Sequence, residues 1–192
     1  MKKTLFLTLP LALTATTPAF AHLNPAEHGS FAAGFSHPMF GADHILAMVA
    51  VGLWAVLLGG RALWMVPAAF VGTMMAGFLL AIAGAPLPFV EPTILASVVA
   101  IGLFAAMAIR VPTPLAMLMV GFFALFHGHA HGGEMGAATA ASYLLGFAVA
   151  TALLHAIGLA LGMLLGAGRG RLIIRAAGAG TAFAGLWLAF GA

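Results

Sequence analysis

Residues 37–59 read HPMFGADHILAMVAVGLWAVLLG: two histidines and an aspartate near the start, then fifteen residues without a charge. A helix that crosses a bilayer needs about 20 mostly apolar residues, and this stretch supplies them in one unbroken run. The surrounding sequence extends the same reading. The chain has 192 residues, 64% hydrophobic and 6% charged, with a mean hydropathy of +1.16, far from the profile of a soluble globular domain. It reads as an all-α integral membrane protein. Its pI of about 10.2 rests on seven Lys plus Arg against four acids, too few groups for a nucleic-acid-binding surface.

The opening MKKTLFLTLPLALTATTPAFA has a basic start, an apolar middle and a small-residue end, the layout of a secretory signal. Cleavage is expected after Ala21. That assigns 1–21 to a signal peptide and 22–192 to a single membrane domain, with five arginines against four acids and a net charge of +1. Cysteine is absent, which excludes thiolate ligands and disulfides.

Six segments are long and apolar enough to span: 37–59, 62–84, 92–110, 112–131, 137–166 and 172–191. The breaks between them carry Gly, Pro and charge, as in Gly59-Gly60-Arg61 and GAPLPFVEP. Connections this short predict a compact six-helix bundle of antiparallel neighbours. If a signal exports the mature N-terminus, Arg61, Arg110, Arg169, Arg171 and Arg175 all lie at cytoplasmic loops or their flanks. The periplasmic loops then hold Glu27, Glu91 and Glu134 and no Lys or Arg, as the positive-inside rule predicts. The expected location is therefore the bacterial inner membrane. Trp54, Trp64, Trp187 and Tyr143 read as interfacial anchors. Gly158, Gly162 and Gly166 recur every four residues, forming a groove for close helix packing.

The same topology gathers the histidines. His22, His28, His37 and His44 lie before or at the outer end of the first span, and His127, His129 and His131 end the fourth. On a continuous helix, His37 and His44 share one face two turns apart, and His44 and Met48 pair at i,i+4. Asp43, about 100° round from His44, either approaches the same site from the side or orients a ligand. Pro38 suits a first helical turn, and Gly41 leaves backbone room. In FHGHAHGGEM a continuing helix puts His127, His131 and Glu134 on one stripe and turns His129 elsewhere; an unwound end would let all three histidines converge. His22, as the mature N-terminus, would offer an α-amine and an imidazole as a chelate. His155 stands alone in the fifth span, either as contact between helices or as an inner relay.

Ionisable groups inside a membrane are costly and usually face a cavity or one another. Imidazoles at helical spacing, joined by carboxylates and with no thiol, form a nitrogen and oxygen ligand set suited to Ni, Co, Zn or Cu(II). The residues thus point to a divalent-metal site. A haem protein of electron transfer would want histidine pairs at two depths rather than clusters at one end. An intramembrane hydrolase would need a nucleophile with a base, or the zincin motif HExxH, which does not occur. A metal sensor or chaperone without transport shares the ligand set.

HPMFGADHILAM at 37–48 and FHGHAHGGE at 126–134 resemble the two signature segments of the HupE/UreJ family of bacterial nickel and cobalt permeases, in the same order. The similarity spans essentially the whole chain, signal peptide included. It implies that His37, Asp43, His44, His127, His131 and Glu134 handle metal, with His129 at a variable position. It also implies nickel or cobalt as transported ion rather than resident cofactor, supplied to hydrogenase or urease maturation, and no enzymatic activity. No Walker A pattern occurs, so no ATPase step or ATPase subunit is expected. The expected partners are the metal ion and the lipid bilayer.

Overall fold

The computed structural model describes residues 29–166 and 168–191. The expected signal peptide and cleavage site, Glu27, His28 and the chelate expected at His22 lie outside the described residues. Among these there are seven helices and no strand: α1 Ser30–Phe40, α2 Ala42–Leu58, α3 Ala62–Ile82, α4 Val90–Ala106, α5 Thr113–Glu134, α6 Ala140–Leu165 and α7 Arg169–Phe190. Four of them, α3, α5, α6 and α7, are each long and apolar enough to cross a membrane. The pair α1 and α2 passes the same test together but is bent by 79°, and α4 is a shorter apolar helix.

That bend corrects the sequence reading of one straight first span. Helix starts at Ser30, seven residues earlier than expected, and breaks at Gly41, whose backbone is extended at φ −83 and ψ 113. A Cβ on Gly41 would lie 2.9 Å from both Asp43 Oδ1 and His44 Nδ1, so a side chain there would press on the pair that opens α2. Pro38 consequently sits in the last turns of α1 rather than in a first turn. There its missing N–H leaves the carbonyl one turn earlier without its usual donor, which favours ending the helix nearby.

Small residues set the packing. Cβ atoms on Gly77 and Gly128 would strike the carbonyls of Leu125 and Met74, so α3 and α5 run backbone to backbone. Gly52 and Gly158 do the same for α2 and α6, the close-approach geometry expected of small-residue membrane interfaces. Gly158 and Gly162 form the predicted groove, Gly162 against Val56, whereas Gly166 ends α6 at φ 63. Two aromatic residues read as interfacial anchors are core instead. Trp54 is fully buried and donates from Nε1 to the Ile109 carbonyl at 2.9 Å. Tyr143 is 3% exposed and stacks on Phe78. Trp64 and Trp187 remain exposed.

The bundle has two unlike poles. At one, Leu57, Arg110, Gly162 and Arg171 line a cavity of about 260 Å³, and Arg175 Nε donates to the Ala106 carbonyl at 2.8 Å. At the other, the Gly41 bend, the first turn of α4 and the last turns of α5 meet around His37, His44, His131, Glu91 and Glu134.

Candidate metal centre

The second motif remains helical through Glu134, so His127, His131 and Glu134 share a stripe and the unwound alternative does not occur. His129 faces away and donates from Nε2 to the Ala85 carbonyl at 2.8 Å. The structure does not bring it into the cluster.

The first motif approaches this stripe from two helices. His37 comes from α1, and Asp43 and His44 from the opening of α2. His44 Nδ1 lies 2.9 Å from Asp43 Oδ1, and His44 Nε2 lies 2.7 Å from His131 Nε2. The carboxylate accepts, so Nδ1 of His44 carries the proton and its Nε2 accepts from His131 Nε2–H. Of the two roles considered for Asp43, the orienting one is the geometry observed. His131 then presents an unprotonated Nδ1 toward Glu134.

On that side Glu134 Oε2 lies 3.7 Å from His131 Nδ1 and 3.8 Å from His37 Nε2. One nitrogen or oxygen atom from each of His37, His131 and Glu134 falls within 4.8 Å of the others. Two ligands held about 2.1 Å from one ion are separated by roughly 3.0 Å at a right angle and 4.2 Å when opposed. The two Glu134 distances fall in that interval and are too long for hydrogen bonds. The 2.7 Å between His44 and His131 suits a shared proton; an ion there would need the rings to part by a few tenths of an ångström.

Below this level, His127 is fully buried, its ring 4.8 Å from that of His44 and its Nε2 3.0 Å from Ser97 Oγ. Nδ1 of His127 has no hydrogen-bond partner among the described residues. Phe147 packs against His131 at 4.3 Å and Phe70 against His127 at 5.6 Å, giving the imidazoles aromatic walls.

A cavity of about 220 Å³ opens onto the cluster, lined by His37, Asp43, His44, Glu91, His131 and Glu134 among others. It is smaller than the roughly 300–1,000 Å³ of pockets that take drug-sized molecules, which suits an ion with some of its water and leaves no room for a porphyrin. Glu91 and Ser97, both from α4, were not foreseen as site residues. Glu91 carried a signal, since it lies on the same predicted side as the histidines; Ser97 carried none.

The model of the family described as HupE / UreJ protein matches residues 9–188. The chain is 44% identical over 192 residues to Protein HupE of Rhizobium leguminosarum bv. viciae, covering all of both chains. No solved structure matches.

The chain belongs to the HupE/UreJ family.

Both segments on which that resemblance rested line the cluster in this HupE/UreJ protein. HPMFGADHILAM forms the bend between α1 and α2, and FHGHAHGGE the last turns of α5. The two sequences lie almost ninety residues apart along the chain, His44 and His131 being separated by 87.

Proposed function

We propose that this HupE/UreJ protein carries a divalent transition metal, nickel or cobalt, from periplasm to cytoplasm by secondary transport or facilitated diffusion, without enzymatic chemistry. In this reading the bent α1–α2 pair and α3 to α7 make six spans in the bacterial inner membrane. The His, Asp and Glu pole faces the periplasm and the arginine pole the cytoplasm, in keeping with the positive-inside rule. Nickel supply to hydrogenase or urease maturation is the setting the family suggests.

The observation that carries the proposal is the meeting of His37, His131 and Glu134 around one small cavity, with ligand atoms within 4.8 Å of one another, His44 hydrogen-bonded behind His131 and no thiol. Glu134 is 47% exposed and His131 almost buried, so an ion from water meets the carboxylate first. It then exchanges water for His37 Nε2 and His131 Nδ1. While the ion is there, His131 Nε2–H is held by His44, itself held by Asp43, the kind of outer partnership that fixes a ligating ring. Passage inward toward His44 and His127 requires the hydrogen bond between His131 and His44 to open, which frees the unprotonated Nε2 of His44 to ligate. Mixed imidazole and carboxylate donors bind firmly enough to strip water and loosely enough to release, as conduction demands.

The test is uptake of radiolabelled Ni²⁺ into proteoliposomes of purified protein, with Co²⁺ as competitor and His44→Ala and Asp43→Ala as controls. The wild type is expected to accumulate the ion and both variants to lose most of that uptake. Saturable binding without accumulation by the wild type would contradict transport and favour a sensor or chaperone.

A further inference from the structure

Ser97 is fully buried on α4, one turn further in than Ile94, a residue of the outer cavity wall. Its hydroxyl has two neighbours. Oγ donates to the Ile94 carbonyl at 2.6 Å and lies 3.0 Å from His127 Nε2. A hydroxyl has one proton to give and a carbonyl has none, so that proton is spent on Ile94 and the Oγ lone pairs are left for the histidine. His127 therefore donates from Nε2–H. Neutral imidazole carries a single N–H, which makes Nδ1 the bare nitrogen of His127, buried and without a hydrogen-bond partner among the described residues. Such an acceptor is costly to bury. The other tautomer costs more, because Nδ1–H would meet no acceptor while the lone pair of Nε2 faced those of Oγ. Polar groups kept in a spanning helix at such a cost mark function. The surroundings show which function: the His44 ring stands edge-on to His127 at 4.8 Å, and the Nε2 of His44 is the atom freed when the outer cluster opens.

Resting on the transport reading above, we infer that Ser97 is a positioning residue for the inward step: by accepting the Nε2 proton of His127 it keeps Nδ1 unprotonated for the cation that His44 hands on. The ion keeps its charge and exchanges one imidazole for another, and no proton has to leave His127 first. Without the hydroxyl, the proton is shared between the two ring nitrogens and the ring is free to turn. A fraction of the molecules then meets the ion with an N–H, which cannot ligate. Serine suits the task because one small group both donates to its own helix and accepts from the next; alanine does neither.

The experiment compares wild type, Ser97→Ala and Ser97→Thr, with His127→Ala used to assign the His127 signals. Nitrogen NMR of metal-free, histidine-labelled protein reads which ring nitrogen is protonated. Ni²⁺ uptake in proteoliposomes, equilibrium Ni²⁺ binding in detergent and thermal unfolding are measured on the same preparations. Wild-type His127 is expected to be protonated at Nε2 alone; a proton on Nδ1, or a mixture, overturns the inference. In Ser97→Ala the tautomers are expected to mix and maximal uptake to fall about tenfold or more, the scale of losing a partner behind a ligating imidazole. Equilibrium binding is expected to stay near wild type, because His37, His131 and Glu134 are untouched. Ser97→Thr keeps the hydroxyl and is expected to recover the single tautomer and most of the uptake. A merely structural serine would lower the unfolding midpoint of Ser97→Ala and leave its tautomer and uptake per folded molecule as in wild type, and that result overturns the inference. So does a folded Ser97→Thr that keeps the tautomer and transports no better than Ser97→Ala. Where the added methyl prevents Ser97→Thr from folding, the wild-type tautomer and the Ser97→Ala uptake decide. Wild-type protein that binds Ni²⁺ without accumulating it defeats the transport reading and the role of Ser97 in it, whereas the wrong tautomer defeats this inference alone.

Discussion

His44 is held from both sides, by Asp43 at Nδ1 and by His131 at Nε2. Asp43 therefore acts through His44 on the ligating His131, one step further out, and Asp43→Ala is expected to weaken Ni²⁺ binding about tenfold, the low end of what losing a partner behind a ligating ring costs. Titration calorimetry of the purified variant measures this; unchanged affinity would mean that His44 needs no orienting. His129, bonded to the Ala85 carbonyl, belongs to no ligand set, so His129→Ala is expected to leave affinity and uptake near wild type. Its effect is confined to stability, on the order of 1 kcal/mol for one hydrogen bond, read as a small drop in unfolding midpoint. Acid acts on the cluster as a competitor. Protonated imidazole cannot ligate, so binding is expected to weaken steadily as pH is lowered. Binding titrations between pH 5 and 8 check the sign; binding that strengthens in acid would exclude imidazole ligation. Residue types and helical spacing made His131 and Glu134 legible in the sequence, whereas His37 and His44 were legible by residue type and topology but not by the shared helix face expected for them. Ser97 was not, because a serine within an apolar run carries no chemical signature until a histidine from another helix is placed 3.0 Å from it.

At the scale of elements, the bend between α1 and α2 decides the geometry. Hydropathy reports how much of a segment is apolar and is blind to a single extended residue, so residues 37–59 read as one rod. The i,i+7 spacing of His37 and His44 looked like a shared helix face, whereas the two side chains reach the cavity from helices 79° apart. Gly41 holds that arrangement. Gly41→Ala is expected to push Asp43 and His44 out of register, since its Cβ would come within 2.9 Å of each, and to lower Ni²⁺ affinity with the bundle still folded. Binding and circular dichroism measured on the same sample separate the two effects; full affinity in a folded Gly41→Ala protein would show that the bend is not needed. Trp54 and Tyr143 illustrate a second blind spot. Amphipathic rings near span ends are usually interfacial, but Trp54 meets the Ile109 carbonyl and Tyr143 stacks on Phe78, tertiary partners that one-dimensional position does not reveal.

Over the whole molecule, the bundle is polarised: imidazoles and carboxylates converge at one end and arginines at the other. That polarity was legible early, because Arg, His and Glu alternate between successive connections along the chain. The close packing that makes it useful was legible only in part. Gly158 was read as an approach point, whereas Gly77 and Gly128 were not, although Gly128 and Gly132 lie four residues apart; Gly77 and Gly128 set α5 backbone to backbone against α3. Gly128→Leu is expected to drive these helices apart and destabilise the protein by about 1–3 kcal/mol or more, the usual range for overpacking, with loss of both binding and uptake. Unfolding in detergent tests it, and wild-type stability would contradict the observed backbone contact.

In the proposed function, side chains from the α1–α2 bend and the end of α5 ligate one ion together. X-ray absorption spectroscopy of the Ni²⁺-loaded protein tests it most directly. A shell of nitrogen and oxygen at about 2.1 Å with multiple-scattering features of imidazole is expected, losing an imidazole contribution in both His37→Ala and His131→Ala. A shell of water oxygens without imidazole scattering, or one that neither substitution alters, would contradict it.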